Sequence, residues 1–325
     1  MNKLLALLLL VLSAAVMATT SDATTPGRNG LIVYQGPPPH RLWVVGADGT
    51  GLRKLTTTKG MQLSYEDPDW SPDGSKVAFE RCQQACQVWT IKANGTGLKR
   101  LGCSTHDCVM PAWSPNGGLI AFSRSWGGVQ NDQIKFAEIF VMTAGGGGIR
   151  QVSHVTTSKP FSADVGHPAW SPDGKRLVFE VHNSKSGEPA GGRALFIVDA
   201  DGSELRQLTP WELNGGGKLD WSPNGKLILF SSVSPAREGS HANLYTISPD
   251  GTGLKQLTRY PEPKSVGTGS FSPDGKWIVF KRFTTTKRFT TTPLPGIFVM
   301  RANGTGVRAV TRDKIGFVPD WGPAR

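Results

Sequence analysis

Beyond the apolar run at its start, this chain sets its apolar residues mostly in short runs of three or four, separated by segments rich in Gly, Pro, Asp and Asn. Runs of that length, rich in β-branched and aromatic side chains and bounded by turn formers, predict strands rather than helices. One set follows a Pro-Asp-Gly or Pro-Asn-Gly turn: Val77 to Phe79, Leu119 to Phe122, Leu177 to Phe179, Leu227 to Phe230 and Ile278 to Phe280. A second set precedes a different turn: Leu42 to Val45, Val88 to Ile91, Ile139 to Met142, Leu195 to Val198, Leu244 to Ile247 and Ile297 to Met300. Those turns carry Asp-Gly or Asn-Gly, degenerate only at Gly145 to Gly148, and such pairs tolerate the positive φ that a tight hairpin demands. Further strands follow them, as at Leu52 to Thr56 and Leu254 to Thr258.

The turns are two interleaved repeats. Trp70-Ser71-Pro72-Asp73-Gly74 returns at Trp113, Trp170, Trp221 and Phe271 and, truncated, at Trp321, with spacings of 43, 57, 51, 50 and 50 residues. Ala47-Asp48-Gly49-Thr50-Gly51-Leu52 alternates with it in six copies. A period near 50 admits four short antiparallel strands, the blade of a β-propeller. The segment before Trp70 holds the second, third and fourth strands of a blade; Val318 to Trp321 holds the first. Pairing the two ends completes that blade and leaves no open edge. The expected fold is all-β: a six-bladed propeller of four-stranded antiparallel blades, closed by the C-terminal strand against the three N-terminal ones. A two-sheet sandwich does not account for the period.

Composition agrees with a packed chain rich in turns: Gly 40 and Pro 23 among 325 residues, 38% hydrophobic and 19% charged. The formal charge of +11 is spread along the chain, which speaks for solubility and weak steering rather than specific nucleic-acid binding. Met1-Asn2-Lys3 leads into an apolar run from Leu4, and Val16-Met17-Ala18 offers small or tolerated residues for cleavage, the order of an export signal. The expected organisation is a signal peptide at 1–18, a short linker at 19–29 and one propeller domain at 30–325. No stable membrane span is expected after cleavage, and a periplasmic or secreted monomer is the resulting picture. All four cysteines, Cys82, Cys86, Cys103 and Cys108, lie within 27 residues, and an oxidising compartment favours two disulfides. Three pairings are possible, of which Cys82 with Cys86 and Cys103 with Cys108 are the simplest; a four-thiolate zinc site would need different spacing.

The Trp-Ser-Pro-Asp-Gly and Asp-Gly-x-x-Leu-x-x-Leu-Thr copies resemble the propeller repeat of the TolB family, across essentially the whole chain after the leader. The resemblance implies a propeller that binds a protein of the cell envelope; the amino-terminal α/β domain of that family is not expected between the leader and the first strand. The repeat is also similar to those of prolyl-oligopeptidase propellers and oligogalacturonate lyases, so architecture is implied more strongly than function.

Both tight turns of a blade emerge on one face, so the long connections share the other, and irregular loops on a rigid scaffold are where binding concentrates. All six histidines, His40, His106, His154, His167, His182 and His241, are expected in those long loops, with His167 near the channel mouth. Tyr65, Trp126 and Trp211 are candidate aromatic anchors or loop packing. Lys281-Arg282-Phe283-Thr284-Thr285-Thr286 is duplicated immediately, so Lys281, Arg282, Lys287 and Arg288 could clamp an acidic glycan, or the duplication is a tolerated insertion in a hairpin. No G-x-S-x-G elbow or H-E-x-x-H helix is present. No cofactor, metal or catalytic residue is assigned. The expected function is an exported scaffold that binds a protein or cell-envelope glycan through its long-loop face; the alternative is a metal-dependent propeller lyase or hydrolase using channel-mouth histidines.

Overall fold

A computed structural model describes residues 27–38, 40–57, 63–103, 106–126, 136–155, 163–183, 192–233, 241–284, 296–311 and 316–325. The expected export segment lies outside them. The described chain forms six four-stranded antiparallel sheets. Blade one joins the C-terminal strand Phe317–Pro323 to Asn29–Gln35, then Leu42–Val45 and Arg53–Lys54. The register sets Trp321 against Ile32 and Asp320 against Val33, so the two ends of the chain meet in one sheet as the repeat arithmetic requires.

The other blades follow in chain order. Blade two is Ser64–Trp70, Lys76–Cys82, Cys86–Lys92 and Lys99–Arg100; blade three is Asp107–Trp113, Leu119–Trp126, Phe136–Thr143 and Arg150–Gln151. Blade four is Ala163–Trp170, Arg176–Asn183, Arg193–Asp199 and Arg206–Gln207. Blade five is Gly215–Trp221, Ile228–Ser232, Asn243–Ile247 and Lys255–Gln256; blade six is Lys264–Phe271, Trp277–Thr284, Gly296–Arg301 and Arg308–Ala309. First strands touch first strands all the way round, including blade six to blade one and blade one to blade two. The ring is closed.

Strand extents differ from expectation in two ways. The fourth strands are only two residues long, because Thr56 and its counterparts leave the sheet. The side chain of Thr56 then accepts the N–H of Leu42, and Thr209, Thr258 and Thr311 do the same for Leu195, Leu244 and Ile297. The second strands are longer than the apolar runs, so Lys281 and Arg282 lie in the strand Trp277–Thr284 rather than in a loop, and Trp126 ends the strand Leu119–Trp126.

The core is not one mass but six wedges, each filled by two neighbouring blades. Val33, Leu42 and Leu55 of blade one pack with Tyr65, Trp70 and Phe79 of blade two; the wedge that shuts the circle sets Val279 and Ile297 of blade six against Ile32, Tyr34 and Trp321. Every wedge needs both its walls, so an open circle would bare two apolar faces to water. The repeated turns bolt the wedges on one side. Ser71 Oγ donates to Asp73 Oδ1 at 2.6 Å and accepts from Lys76 N–H, and Ser114 with Asn116 reproduces the pattern, so Asn serves as well as Asp. Gly304, at φ 94, turns against Leu257 of the previous blade; a Cβ there would stand 2.6 Å from the Leu257 carbonyl oxygen, which is why this turn position is glycine. Arginines on the fourth strands reach across joints: Arg53 donates to the carbonyl of Ala93, Arg150 to that of Ala200 and Arg308 to that of Ala47. Part of the scattered positive charge is thus structural.

Candidate functional site

The first strands surround the propeller axis, and each breaks register just before its Trp or Phe. Proline in this position explains part of the break. Pro68, Pro111, Pro168 and Pro319 stand two residues before Trp70, Trp113, Trp170 and Trp321, and proline has no N–H to give to a ladder. The residue before each of these prolines has positive φ: Asp67 44°, Met110 55°, His167 51° and Val318 42°. Asp67, Met110 and His167, with Lys218 at the equivalent position of blade five, line an axial cavity.

A second level of the cavity is formed by the residue directly before each Trp or Phe: Asp69, Ala112, Ala169, Asp220, Ser270 and Asp320. Four of these stitch one blade to the next. Asp320 accepts the N–H of Trp70 at 2.8 Å, Asp69 that of Trp113 at 2.7 Å, Asp220 that of Phe271 at 2.6 Å and Ser270 that of Trp321 at 2.7 Å. Alanine at 112 and 169 offers no such acceptor.

Lys218 crosses the channel from blade five. Its Nζ lies 3.2 Å from Asp320 and 3.8 Å from Asp69, and donates to the carbonyl of Pro68 at 2.7 Å. Burial alone would lower this ammonium's pKa, but the Asp320 and Asp69 carboxylates outweigh burial and hold it above its ordinary value. Burial, reinforced by the Asp320 charge and only partly offset by Lys218, pushes Asp69 up to about 7. Burial and Asp320 also push Asp220 well above the usual carboxylate range. At neutral pH the Asp69 carboxyl is therefore partly protonated, while the Lys218 ammonium keeps its charge. The cavity measures about 60 Å³, room for a few waters, against several hundred for a typical ligand pocket. The arrangement reads first as a cross-channel brace.

Of the expected site residues, His167 does line this cavity, with Nδ1 3.7 Å from Glu180. It sits in the strand Ala163–Trp170, and His182 in Arg176–Asn183, which corrects the expectation that all six histidines occupy loops. Both fall there because the strands outrun their apolar runs. Among the described residues no group of three or more His, Cys, Asp and Glu side chains is placed to hold a metal. Tyr65 is buried in the wedge between blades one and two, with the guanidinium of Arg41 5.0 Å from its ring centre. Trp211 opens a short 3-10 turn, Trp211–Leu213, and packs on Phe196 at 5.8 Å. Lys287 and Arg288 lie outside the described residues, whereas Lys281 lies 4.4 Å from the ring centres of Phe283 and Phe317 and Arg282 stacks on Phe298 at 3.8 Å. Burial lowers the Lys281 pKa to about 8.

The cysteines form Cys82–Cys86 and Cys103–Cys108 disulfides. The first closes the hairpin between the second and third strands of blade two; the second closes the connection into blade three. Both lie at the long-connection ends of the strands. Sequence reasoning missed the axial ring, although its signal was present: the residues one and three places before each Trp or Phe of the repeat carry Asp69, Asp220, Asp320 and Lys218.

No family model matches the chain. It is 25% identical over 245 residues to the uncharacterized peptidase YuxL of Bacillus subtilis, a match covering 70% of this chain and 31% of that protein. It is 32% identical over 148 residues to the TolB homolog of Chlorobium luteolum, covering 45% of this chain and 28% of that protein. The chain thus spans about a third or less of these relatives. The TolB structure from Acinetobacter baumannii superposes with a TM-score of 0.68 at 18% identity, over 91% of this chain and 67% of that one. The fold is TolB-like. At this identity the likeness speaks for the fold alone.

Proposed function

We propose that this TolB-like propeller is an exported binding scaffold that holds a protein or cell-envelope glycan on its long-connection face. The observation that carries the reading is the contrast between an axial cavity of about 60 Å³, filled by its own Lys218 brace, and a long-connection face on which two disulfides stiffen neighbouring segments. Paired cysteines and the apolar run from Leu4 support a periplasmic or secreted location. Among the described residues no helix is long and apolar enough to cross a membrane.

The test is crosslinked capture from the native envelope, comparing the wild-type chain with one in which residues 285–292 are replaced by a short Gly-Ser turn. Specific adducts that weaken in the replacement support the reading; adducts absent from both overturn it. The second reading, a metal-dependent lyase or hydrolase, rests on His167 at the cavity wall. Its expectation is stoichiometric divalent metal in the purified protein, lost in His167→Ala.

A further inference from the structure

At the long-connection end of blade two lies a second concavity of about 400 Å³, large enough for a disaccharide. The Cys82–Cys86 hairpin forms one wall, and the groove is lined by Arg81, Gln83, Gln84, Gln87, Trp89 and Arg100. Two guanidiniums and three amides face it, and none of its lining residues is acidic.

The guanidiniums are set in place without being neutralised. Arg81 lies 4.5 Å over the Trp89 ring and 5.8 Å from that of Tyr65, so two aromatic faces fix its plane. Its buried Nε has no hydrogen-bond partner, and among the described residues no carboxylate pairs with it. Arg100 donates from Nη2 to Gln87 Oε1 at 3.1 Å and to the Cys103 carbonyl at 3.3 Å, both neutral acceptors. Gln87 in turn donates to the His106 carbonyl at 2.8 Å, which fixes its amide. Asp107 reaches the hairpin, but one of its oxygens accepts the Cys86 N–H at 2.9 Å. The two Nη groups of an unneutralised, pre-oriented guanidinium favour a carboxylate, because parallel N–H donors match two oxygens, whereas the buried Nε is out of a ligand's reach. Gln83 and Gln84 are exposed on the hairpin, and each amide carries a donor beside an acceptor, the pattern that pairs with neighbouring hydroxyls.

We infer that this groove binds a carboxylate-bearing saccharide, with Arg81 and Arg100 on the carboxylate and the hairpin glutamines on the hydroxyls. The inference deepens the scaffold reading and rests on it, by naming a ligand class and a place on the long-connection face. The test is calorimetric titration of the full chain with cellobiouronic acid, with cellobiose as its uncharged counterpart and pentaglutamate as an acidic peptide. The expected result is binding of cellobiouronic acid at least about tenfold tighter than cellobiose, weakening with added salt. A loss of about tenfold or more is expected in Arg81→Gln and in Arg100→Gln. Arg100 is exposed, so its variant keeps the test open should Arg81→Gln fold poorly. Equal binding of the two sugars, binding of neither, tighter binding of pentaglutamate, or wild-type affinity in Arg100→Gln would overturn the inference. Envelope capture that persists when both sugars fail would overturn the ligand class and leave the scaffold standing; loss of capture itself would remove the scaffold.

Discussion

On the tight-turn face of the propeller, position predicts partner. Ser71, Ser171 and Ser272 each donate to the Asp two residues on, and Arg53, Arg150 and Arg308 each reach a turn carbonyl of the next blade. At the long-connection ends of the second strands the equivalent positions diverge. Glu80 accepts the N–H of Met110, Ser123 donates to the Val165 carbonyl, Glu180 meets Gly217 and Arg193, and Lys281 sits among aromatic rings. The first face repeats one kind of joint, and its repetition reflects the shared task of holding wedges together. On the second the joints persist, since Glu80, Ser123 and Glu180 each bridge to the following blade, but their chemistry changes from blade to blade.

Between the faces lies the axial ring, and breaking it should cost most. Asp320→Ala strands the Trp70 N–H and removes the closer carboxylate from Lys218, with an expected loss of about 3–5 kcal/mol in urea unfolding. Lys218→Met leaves buried carboxyls without their cation and should cost about 3 kcal/mol at pH 8. The loss should shrink toward pH 5, below the titration of Asp69.

The pH dependence has a definite sign. The Asp69 carboxyl is raised in the fold to about 7, so its contribution is fully present below its unfolded value near 4 and is lost as pH rises through 7. Thermal melts of Asp69→Asn across that window should show a flatter profile than the wild type. An unchanged slope would remove Asp69 from the brace.

Smaller effects sharpen the contrast of faces. Replacing Cys82 and Cys86 by Ser opens a short loop, with an expected loss of about 2 kcal/mol by loop entropy, read by urea unfolding. It should loosen the blade-two groove while leaving the closed ring intact. Thr258→Val removes the buried acceptor of the Leu244 N–H and should cost about 1 kcal/mol by the same measurement.

Blade number, closure and turn identity were legible because Trp-Ser-Pro-Asp-Gly and Asp-Gly-x-x-Leu are local signals whose chemistry completes itself within a few residues. The axial ring was harder to read. Asp320 meets Trp70 across 250 positions, and Lys218 meets Pro68 across 150, so neither pairing is visible until the circle closes. The blade-two groove was missed for a related reason: Arg81, Trp89 and Arg100 converge only through the register of three strands. Tyr65, read in sequence as either an anchor or packing, is the converse case. It stands beside a long connection in sequence, yet the wedge between blades one and two buries it.

The most direct test of the two-face account places one photocrosslinking residue at Gln84, on the disulfide hairpin, and another at Thr96, in a tight turn, and exposes each chain to native envelope. The account predicts specific adducts from position 84 and none from position 96. Adducts from position 96 alone, or equally from both, would contradict it.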